Sequence, residues 1–496
     1  MNVRTALVGL MALMLAPAAH AEAPDPASLA EVDRIFADWR LSAHVPGLVY
    51  GVVADGKLVH VKALGVQDTD TNTPVSADSL FRIASMSKAF TALAILKLRD
   101  EGRLSLDAPA ERYVPQLKTW RYPTADSPRI TIRHLLTHTA GFVEDNPWGD
   151  RQQVMTEGEF SRLLTTGVAF ARPPGMAMEY SNLGYALLGR IITNVSGRPY
   201  QDYIRAELMQ PLGMLATTYD VFASPPARRA IGYRWQDHQW VREPDMKDGA
   251  FGAMGGVETS ANDYARWIAF LLSAWPPRDD PDQGPVRRAT VREIGTGSNF
   301  ATGTLRAAAA GGAPCRRAIA YGMGWSAIDD CDLGMLLSHS GGYPGYGSIA
   351  LLLPEKGLGI FAFASRTYAG PGLPATRALL ALHRAGALKS PPPQPDPGLV
   401  QAYAAAAMVW RTASITAAPL ANNMLLDRDA ERWRAQIESL RAEVGTCPAD
   451  EPIVPVSRME GRFAWTCEHG RITGRVQRSP NVALEIQALE FAPAEP

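Results

Sequence analysis

An α+β fold, helices packed on a sheet with a small second α+β domain behind it, is what this sequence predicts. Three observations carry the prediction. Two apolar hairpins lie far apart in the chain. Residues 47–54 return through 57–65 across Asp55-Gly56, and residues 348–353 return through 359–364 across Pro354-Glu355-Lys356-Gly357. An Asp-Gly pair between apolar runs supplies the backbone of a tight turn. Between the hairpins stands a helix over residues 85–101, apolar on most sides and so buried, with Gly102 as its stop. Finally, the Pro-rich stretch 390–397 is stiff and separates residues 22–389 from a domain over 398–496. A chain of 496 residues, 46% of them hydrophobic, has ample apolar surface for both.

Taken in order, residues 1–21 read as a secretory signal. Arg4 gives the positive start, residues 6–16 are apolar, and Ala19-His20-Ala21 is an Ala-x-Ala cleavage site, so the mature chain begins near Glu22. The apolar run is too short to span a bilayer comfortably, which predicts a periplasmic or secreted protein with no stable membrane insertion. Cys315, Cys331, Cys447 and Cys467 suit export. They fall in two local pairs, which suggests one disulfide within each, although three pairings are possible. Their spacing is not that of a zinc site. A net charge of −1, with no basic tract and no repeat, gives no case for nucleic acid as a partner.

Leu29, Val32, Ile35, Phe36 and Trp39 mark a helix over 27–41, entered through Pro26. A further apolar helix covers 186–195 and stops at Ser196-Gly197, and another starts at Ser260. Residues 275–315 are rich in Pro, Gly, Arg and Asp and read as a surface insertion placed to overhang a site. Strands follow from Gly322 and over 333–339. In the second domain, helices cover 399–410 and 427–444, with Trp433, Ile437, Leu440 and Val444 on one face, and strands cover 461–467, 471–477 and 482–491. No catalytic constellation is visible there.

Chemistry concentrates in three motifs. Ser85-x-x-Lys88 opens the buried helix. Residues three apart share a helix face, and both burial and the positive helix end disfavour charge on Lys88. A neutral amine there can take the proton of Ser85, which is how a serine becomes a nucleophile. The bland alternative is a capping Ser with a solvated Lys. Tyr180-Ser181-Asn182 sits on the loop before a helix, where it either presents functional side chains or caps the helix. His339-Ser340-Gly341-Gly342 ends a strand and leads through Tyr343-Pro344-Gly345 into another strand, so it is not the strand-turn-helix of a nucleophile elbow. His134 and His138 are four apart, but no Glu lies between them as a metalloprotease helix requires, and they read as structural.

The three motifs in this order resemble the serine β-lactamase and penicillin-binding-protein superfamily, nearest the branch with class C β-lactamases, family VIII esterases and D-amino-acid-specific peptidases. The resemblance covers residues 27–388 and leaves the C-terminal domain outside. It implies a helical subdomain beside an antiparallel sheet flanked by helices, with the site between them. It also implies Ser85 as acyl-accepting nucleophile, with Lys88 and Tyr180 sharing proton transfer, a Tyr180 of lowered pKa being a suitable base. Asn182 would hydrogen-bond the substrate, the backbone N–H groups of Ser85 and Gly342 would form the oxyanion hole, and no metal or organic cofactor is implied. Where many relatives have Lys-Thr-Gly, this chain has His339-Ser340-Gly341. A histidine is only partly charged near neutral pH, which disfavours β-lactam hydrolysis. The reading is an exported serine hydrolase of small esters or amides. Its rivals are a carboxypeptidase or peptidase for D-amino-acid peptides of the cell wall, a class C-like β-lactamase, and a non-enzymatic sensor of cell-wall fragments.

Overall fold

The computed structural model describes residues 24–307, 314–388 and 395–494. The expected signal segment 1–21 and residues 390–394 of the expected linker lie outside them. The chain packs as two units that divide between Ser390 and Pro391.

Nine strands of the first unit form one sheet among the described residues: β1 (Gly47–Ala54), β2 (Lys57–Asp68), β3 (Thr73–Pro74), β4 (Asn299–Arg306), β5 (Cys315–Tyr321), β6 (Ser326–Asp330), β7 (Gly334–Tyr343), β8 (Tyr346–Leu353) and β9 (Leu358–Ala364). Their order is β3-β2-β1-β9-β8-β7-β6-β5-β4, each neighbour antiparallel to the next. The two hairpins legible in the sequence thus meet at the centre, where Leu48 pairs with Ala364 and Ala54 with Leu358. Every residue of β1, β8 and β9 is buried, which is why these runs are continuously apolar: helices cover both sheet faces. On one face lie α1 (Pro26–Ser42) and, from the chain after β9, the helix Gly372–Arg384, with Phe36 stacked on Tyr50 at 4.1 Å. The other face joins Val49, Val53, Phe361 and Phe363 to a large helical cluster. Its main members are α2 (Lys88–Asp100), α3 (Asn182–Ser196) and α4 (Ala261–Leu272). Phe90 of α2 stacks on Trp267 of α4 at 4.0 Å, and such a buried aromatic pair contributes about 1 kcal/mol beyond its area.

Two elements differ from expectation. The single helix expected over 85–101 is a 3-10 turn, Ala84–Ser87, feeding α2. The stretch read as an irregular insertion contains a helix, Arg288–Glu293, and β4, one of the two edge strands of the sheet. The β4 sequence hides its strand because an edge strand buries little: Phe300 and Leu305 are both mostly exposed, so no clean period-2 pattern is written into it.

The second unit has a four-stranded antiparallel sheet, Val454–Pro455, Glu460–Cys467, Gly470–Arg478 and Ile486–Pro493, packed by helices Pro397–Thr412 and Ala430–Val444. Trp410, Phe463, Trp465 and Phe491 form its core. Pro397, expected as the last linker residue, is the first residue of a helix capped by Asp396, whose side chain accepts from the Gly398 N–H. The four cysteines are joined as Cys315–Cys331 and Cys447–Cys467, within the local pairs. No described helix is long and apolar enough to cross a membrane.

Candidate active site

Ser85 sits on the 3-10 turn at the head of α2 and is nearly buried. The turn is forced by its neighbours. Ala84 has φ +50°, a conformation that costs a residue with a Cβ roughly 1 kcal/mol. It is held from two sides. Ser87 Oγ donates to the Ala84 carbonyl at 2.7 Å and accepts from the Val257 N–H at 3.0 Å. From β7, Gly341 presses on the backbone of the turn; a Cβ there would meet the Ile83 oxygen at 2.3 Å and Ser348 Oγ at 2.2 Å. Gly341 is therefore a packing requirement, and Ser87 is part of the scaffold.

Lys88 has no exposed surface. Its Nζ lies 3.0 Å from Ser85 Oγ, 2.8 Å from Asn182 Oδ1 and 2.8 Å from the Met254 carbonyl oxygen. Burial pulls its ammonium down to about 7, against the opposing pull of Asp150 and then Asp145. The three neighbours decide what the neutral amine does. Asn182 Oδ1 and the Met254 oxygen can only accept, so they take the two N–H hydrogens, and the lone pair is left for the hydroxyl hydrogen of Ser85. The capping-Ser, solvated-Lys alternative does not describe this geometry.

Tyr180, Ser181 and Asn182 divide between the two readings of their motif. Ser181 caps α3, accepting from the Gly184 N–H at 3.2 Å. The ring of Tyr180 lies beside Lys88 Nζ, 4.9 Å from its centroid. Burial raises the Tyr180 phenol above its usual range, with its hydrogen-bond contact to Ser85 opposing. The expected lowering of its pKa is thus reversed: Tyr180 keeps its proton, and Lys88 is the group poised near neutrality. Asn182 is also not free for a substrate. It is fully buried, with Oδ1 taken by Lys88 and Nδ2 donating to Asn146 Oδ1 at 2.6 Å. Asn146 instead lines the cavity.

That cavity holds about 400 Å³ and is lined by Ser85, Tyr180, His339, Ser340 and Gly342 together with Asn146, Asp150, Tyr321 and Tyr368. Ser340 is exposed into it, and Gly342 borders it with the Tyr368 ring 2.7 Å from where a Cβ would stand. Pairing of β7 with β6 ends at Ser338 with Ser326, so residues 339–343 run on beside the cavity without a strand on that side among the described residues. A larger cavity, about 820 Å³, lies by α4 and contains none of the motif residues.

His339 is buried. Its Nδ1 is 2.7 Å from the Ser340 carbonyl oxygen, so Nδ1 carries the hydrogen; Nε2 then accepts from the Tyr321 hydroxyl at 3.1 Å. Burial, helped by Lys88, pushes its pKa down to about 3. The partial charge expected for this residue is absent at neutral pH. His138 is likewise buried and held well below the usual range by burial and then by Lys88 and His339, with Nδ1 accepting from the Ser181 N–H at 3.1 Å. His134 closes a capping box with Thr131. Neither is arranged as a metal ligand. Among the described residues the group spaced for a metal is Cys315, Asp330, Cys331 and Asp332, whose two cysteines share a disulfide.

These histidines make a stability prediction. A folded pKa below the unfolded 6.5 means that the unfolded state binds more protons below pH 6.5, so stability is lost as pH falls. For His339, still neutral at pH 5 in the folded state, the cost at pH 5 is about 2 kcal/mol relative to pH 7. Asp150 and Asp248, raised by burial to about 6, act in the opposite sense, so the test is a difference. The drop in unfolding free energy from pH 7 to 5 should be about 2 kcal/mol smaller in His339→Gln than in wild type, measured by urea denaturation. An unchanged drop overturns the assignment.

Sequence reasoning passed over Asp145, Asn146 and Asp150. Asp145 accepts from the Asn182 and Leu183 N–H groups at 2.7 and 2.8 Å, capping α3 with a carboxylate. Asp150 accepts from the Tyr368 hydroxyl at 3.1 Å. The available signal was Asp145-Asn146-Pro147, which in a single sequence reads only as a turn.

Known proteins are similar to this chain in sequence and in fold. "Protein flp" of Staphylococcus aureus is 32% identical over 337 residues, 68% of this chain, and the chain spans 62% of that relative's length. "Esterase EstB" of Burkholderia gladioli is 31% identical over 267 residues, 51% of this chain and 66% of that protein. In fold, the chain is similar to the octameric penicillin-binding protein homologue from Pyrococcus abyssi, with TM-score 0.62 and 21% identity over 91% of this chain and 96% of that one. Residues 32–385 match the family described as Beta-lactamase. The chain belongs to the Beta-lactamase family, and with it to the superfamily of serine β-lactamases and penicillin-binding proteins.

Proposed function

We propose that this protein is an exported serine hydrolase that cleaves a small ester or amide through an acyl-enzyme on Ser85. The observation that carries the reading is the buried Lys88 Nζ, 3.0 Å from Ser85 Oγ and 2.8 Å from each of two obligate acceptors, Asn182 Oδ1 and the Met254 oxygen, so that the neutral amine has its lone pair for Ser85. Export rests on the paired cysteines and on the signal-like character of residues 1–21. The Ser85 hydroxyl adds to the carbonyl carbon while Lys88 takes its proton, and the developing oxyanion is met by the N–H groups of Ser85 and Gly342. The Lys88 proton then passes through the Tyr180 hydroxyl to the departing alcohol or amine. This suits a phenol that keeps its own proton: it gives one and receives one. In the second half, water replaces the leaving group, Lys88 and Tyr180 accept its proton, and the Ser85 ester is cleaved with the proton returned to Oγ.

The neutral His339 bears on the substrate. A β-lactam or a peptide C-terminus carries a carboxylate, and the position where many relatives hold a lysine here offers an uncharged imidazole whose two nitrogens are both engaged. Uncharged short esters should therefore be turned over better than a chromogenic cephalosporin. Comparison of kcat/KM for p-nitrophenyl acetate and the cephalosporin tests this. A cephalosporin preferred by about tenfold, roughly 1.4 kcal/mol of transition-state stabilisation, would make the protein a β-lactamase instead. The sensor alternative predicts a stoichiometric burst of labelling with no sustained turnover.

A further inference from the structure

We propose that Asp150 is an anchor for a cationic substrate, one that carries an ammonium group on the ester or amide to be cleaved. The inference rests on the hydrolase reading above and narrows its substrate class.

Three observations point the same way. Asp150 is only 4% exposed, yet it borders the cavity that Ser85 opens into, and among the described residues that line it Asp150 is the one carboxylate and there is no Lys or Arg. One of its oxygens, Oδ2, accepts from the Tyr368 hydroxyl at 3.1 Å. No Lys or Arg of the described residues forms a close ion pair with it; Lys88 and, more weakly, Arg151 act on it from further away. Buried carboxylates are ordinarily paired because an unpaired one is costly, and this one sits beside the reacting centre with the Tyr368 hydroxyl as its hydrogen-bond donor.

The cations nearby do not remove the need for one. Lys88 lies under Ser85 rather than on the cavity wall, and its nitrogen is committed to Ser85, Asn182 and Met254. His339 is neutral and doubly bonded. Arg151, the other cation that acts on Asp150, is exposed and lies outside the cavity lining, so the wall carries the Asp150 carboxylate with no Lys or Arg on it, and Lys88 balances that carboxylate only while it is protonated. A substrate carboxylate would meet repulsion there, a neutral group would add no partner for Asp150, and an ammonium would find a charge-assisted partner in a low-dielectric site. Tyr368 fixes the carboxylate in place, so the anchor is pre-organised before substrate arrives.

The test uses pairs of substrates that differ in charge, with the cation on either side of the cleaved bond. On the acyl side the pair is alanine p-nitroanilide, in both configurations, against its N-acetyl derivative. On the leaving-group side it is acetylthiocholine against S-ethyl thioacetate. In at least one pair the cationic member should have the higher kcat/KM by tenfold or more, expressed mainly in KM. Asp150→Asn should collapse that ratio to within about twofold, and Asp150→Glu should keep part of it; because the ratio is taken within each variant, a general loss of activity does not enter it. A wild-type protein that prefers the neutral member of both pairs, or an Asp150→Asn protein that keeps the ratio, overturns the anchor. If Asp150→Asn does not fold, competitive inhibition of wild type decides: butylammonium should inhibit more strongly than butyrate, and the reverse order overturns the proposal. Hydrolysis of p-nitrophenyl acetate that depends on Ser85 but shows no cation preference sinks the anchor alone. Absence of any Ser85-dependent hydrolysis sinks the hydrolase reading.

Discussion

Ser85→Ala should give a folded protein that neither accepts a covalent acyl group nor turns over p-nitrophenyl acetate, with kcat/KM down by a factor of at least about a thousand. The magnitude follows from how the site is built. Ser326, Ser338 and Ser340 also border the cavity, but the hydroxyl that shares a hydrogen bond with the Lys88 amine is that of Ser85. A serine with no base beside it is a weak nucleophile, so no neighbour should substitute. Folding should survive, because Lys88 keeps Asn182 and Met254 as partners and the loss of one hydroxyl hydrogen bond costs about 1 kcal/mol. Ser87→Ala is the control within the same motif. Ser87 faces away from the amine and ties the turn to Ala84 and Val257, so its loss should be felt in stability before it is felt in catalysis. The measurements are intact-mass labelling and kcat/KM, with circular dichroism for the fold. A folded Ser85→Ala protein with wild-type turnover would end the assignment.

Much of this architecture is legible in the sequence because its physics is local. The hairpin 47–65 announces itself through Asp55-Gly56, where both residues have positive φ, and α2 through a run that is buried at nearly every position. The motif residues also stand at informative spacings, so Ser85, Lys88, Tyr180 and Asn182 could be named before any contact was known. Their electrostatics could not. Whether Tyr180 or Lys88 is the base depends on how completely each is desolvated and on which acceptors surround the amine, and those acceptors come from positions 182 and 254. Asp150 was invisible for the same reason. An Asp on a short loop helix is ordinarily solvated, and its proximity to Lys88 and Tyr368 is a product of packing across more than two hundred residues of chain. The edge strand β4 failed differently: a strand that buries little carries little pattern.

Lys88 is where the largest change in pH behaviour should appear. If the neutral amine accepts the Ser85 proton, activity requires Lys88 deprotonated in the free enzyme. With its pKa lowered by burial to about 7, kcat/KM should rise about tenfold per pH unit below that value and level off above it. The groups that face the amine set the position of this limb. Asp150 and Asp145 favour the ammonium, and His138 and His339, both neutral, contribute no charge at neutral pH. Removing the Asp150 charge should therefore move the limb to lower pH, since less anionic support leaves the ammonium less stable. Lys88→Met should lower kcat/KM by about 10³ or more, within the range of a lost general base, and so should Lys88→Arg. A guanidinium keeps the positive charge but stays protonated throughout the accessible range and has no lone pair to offer. This separates the two roles that Lys88 could play: an electrostatic role would be rescued by Arg, a proton-accepting role would not. Tyr180→Phe should also be strongly impaired. The double variant Lys88→Met with Tyr180→Phe should be little worse than the worse single one, because two members of one proton path lose the path together. An active Lys88→Arg protein, or a pH profile without a limb near neutrality, would remove Lys88 as the base and return that role to Tyr180.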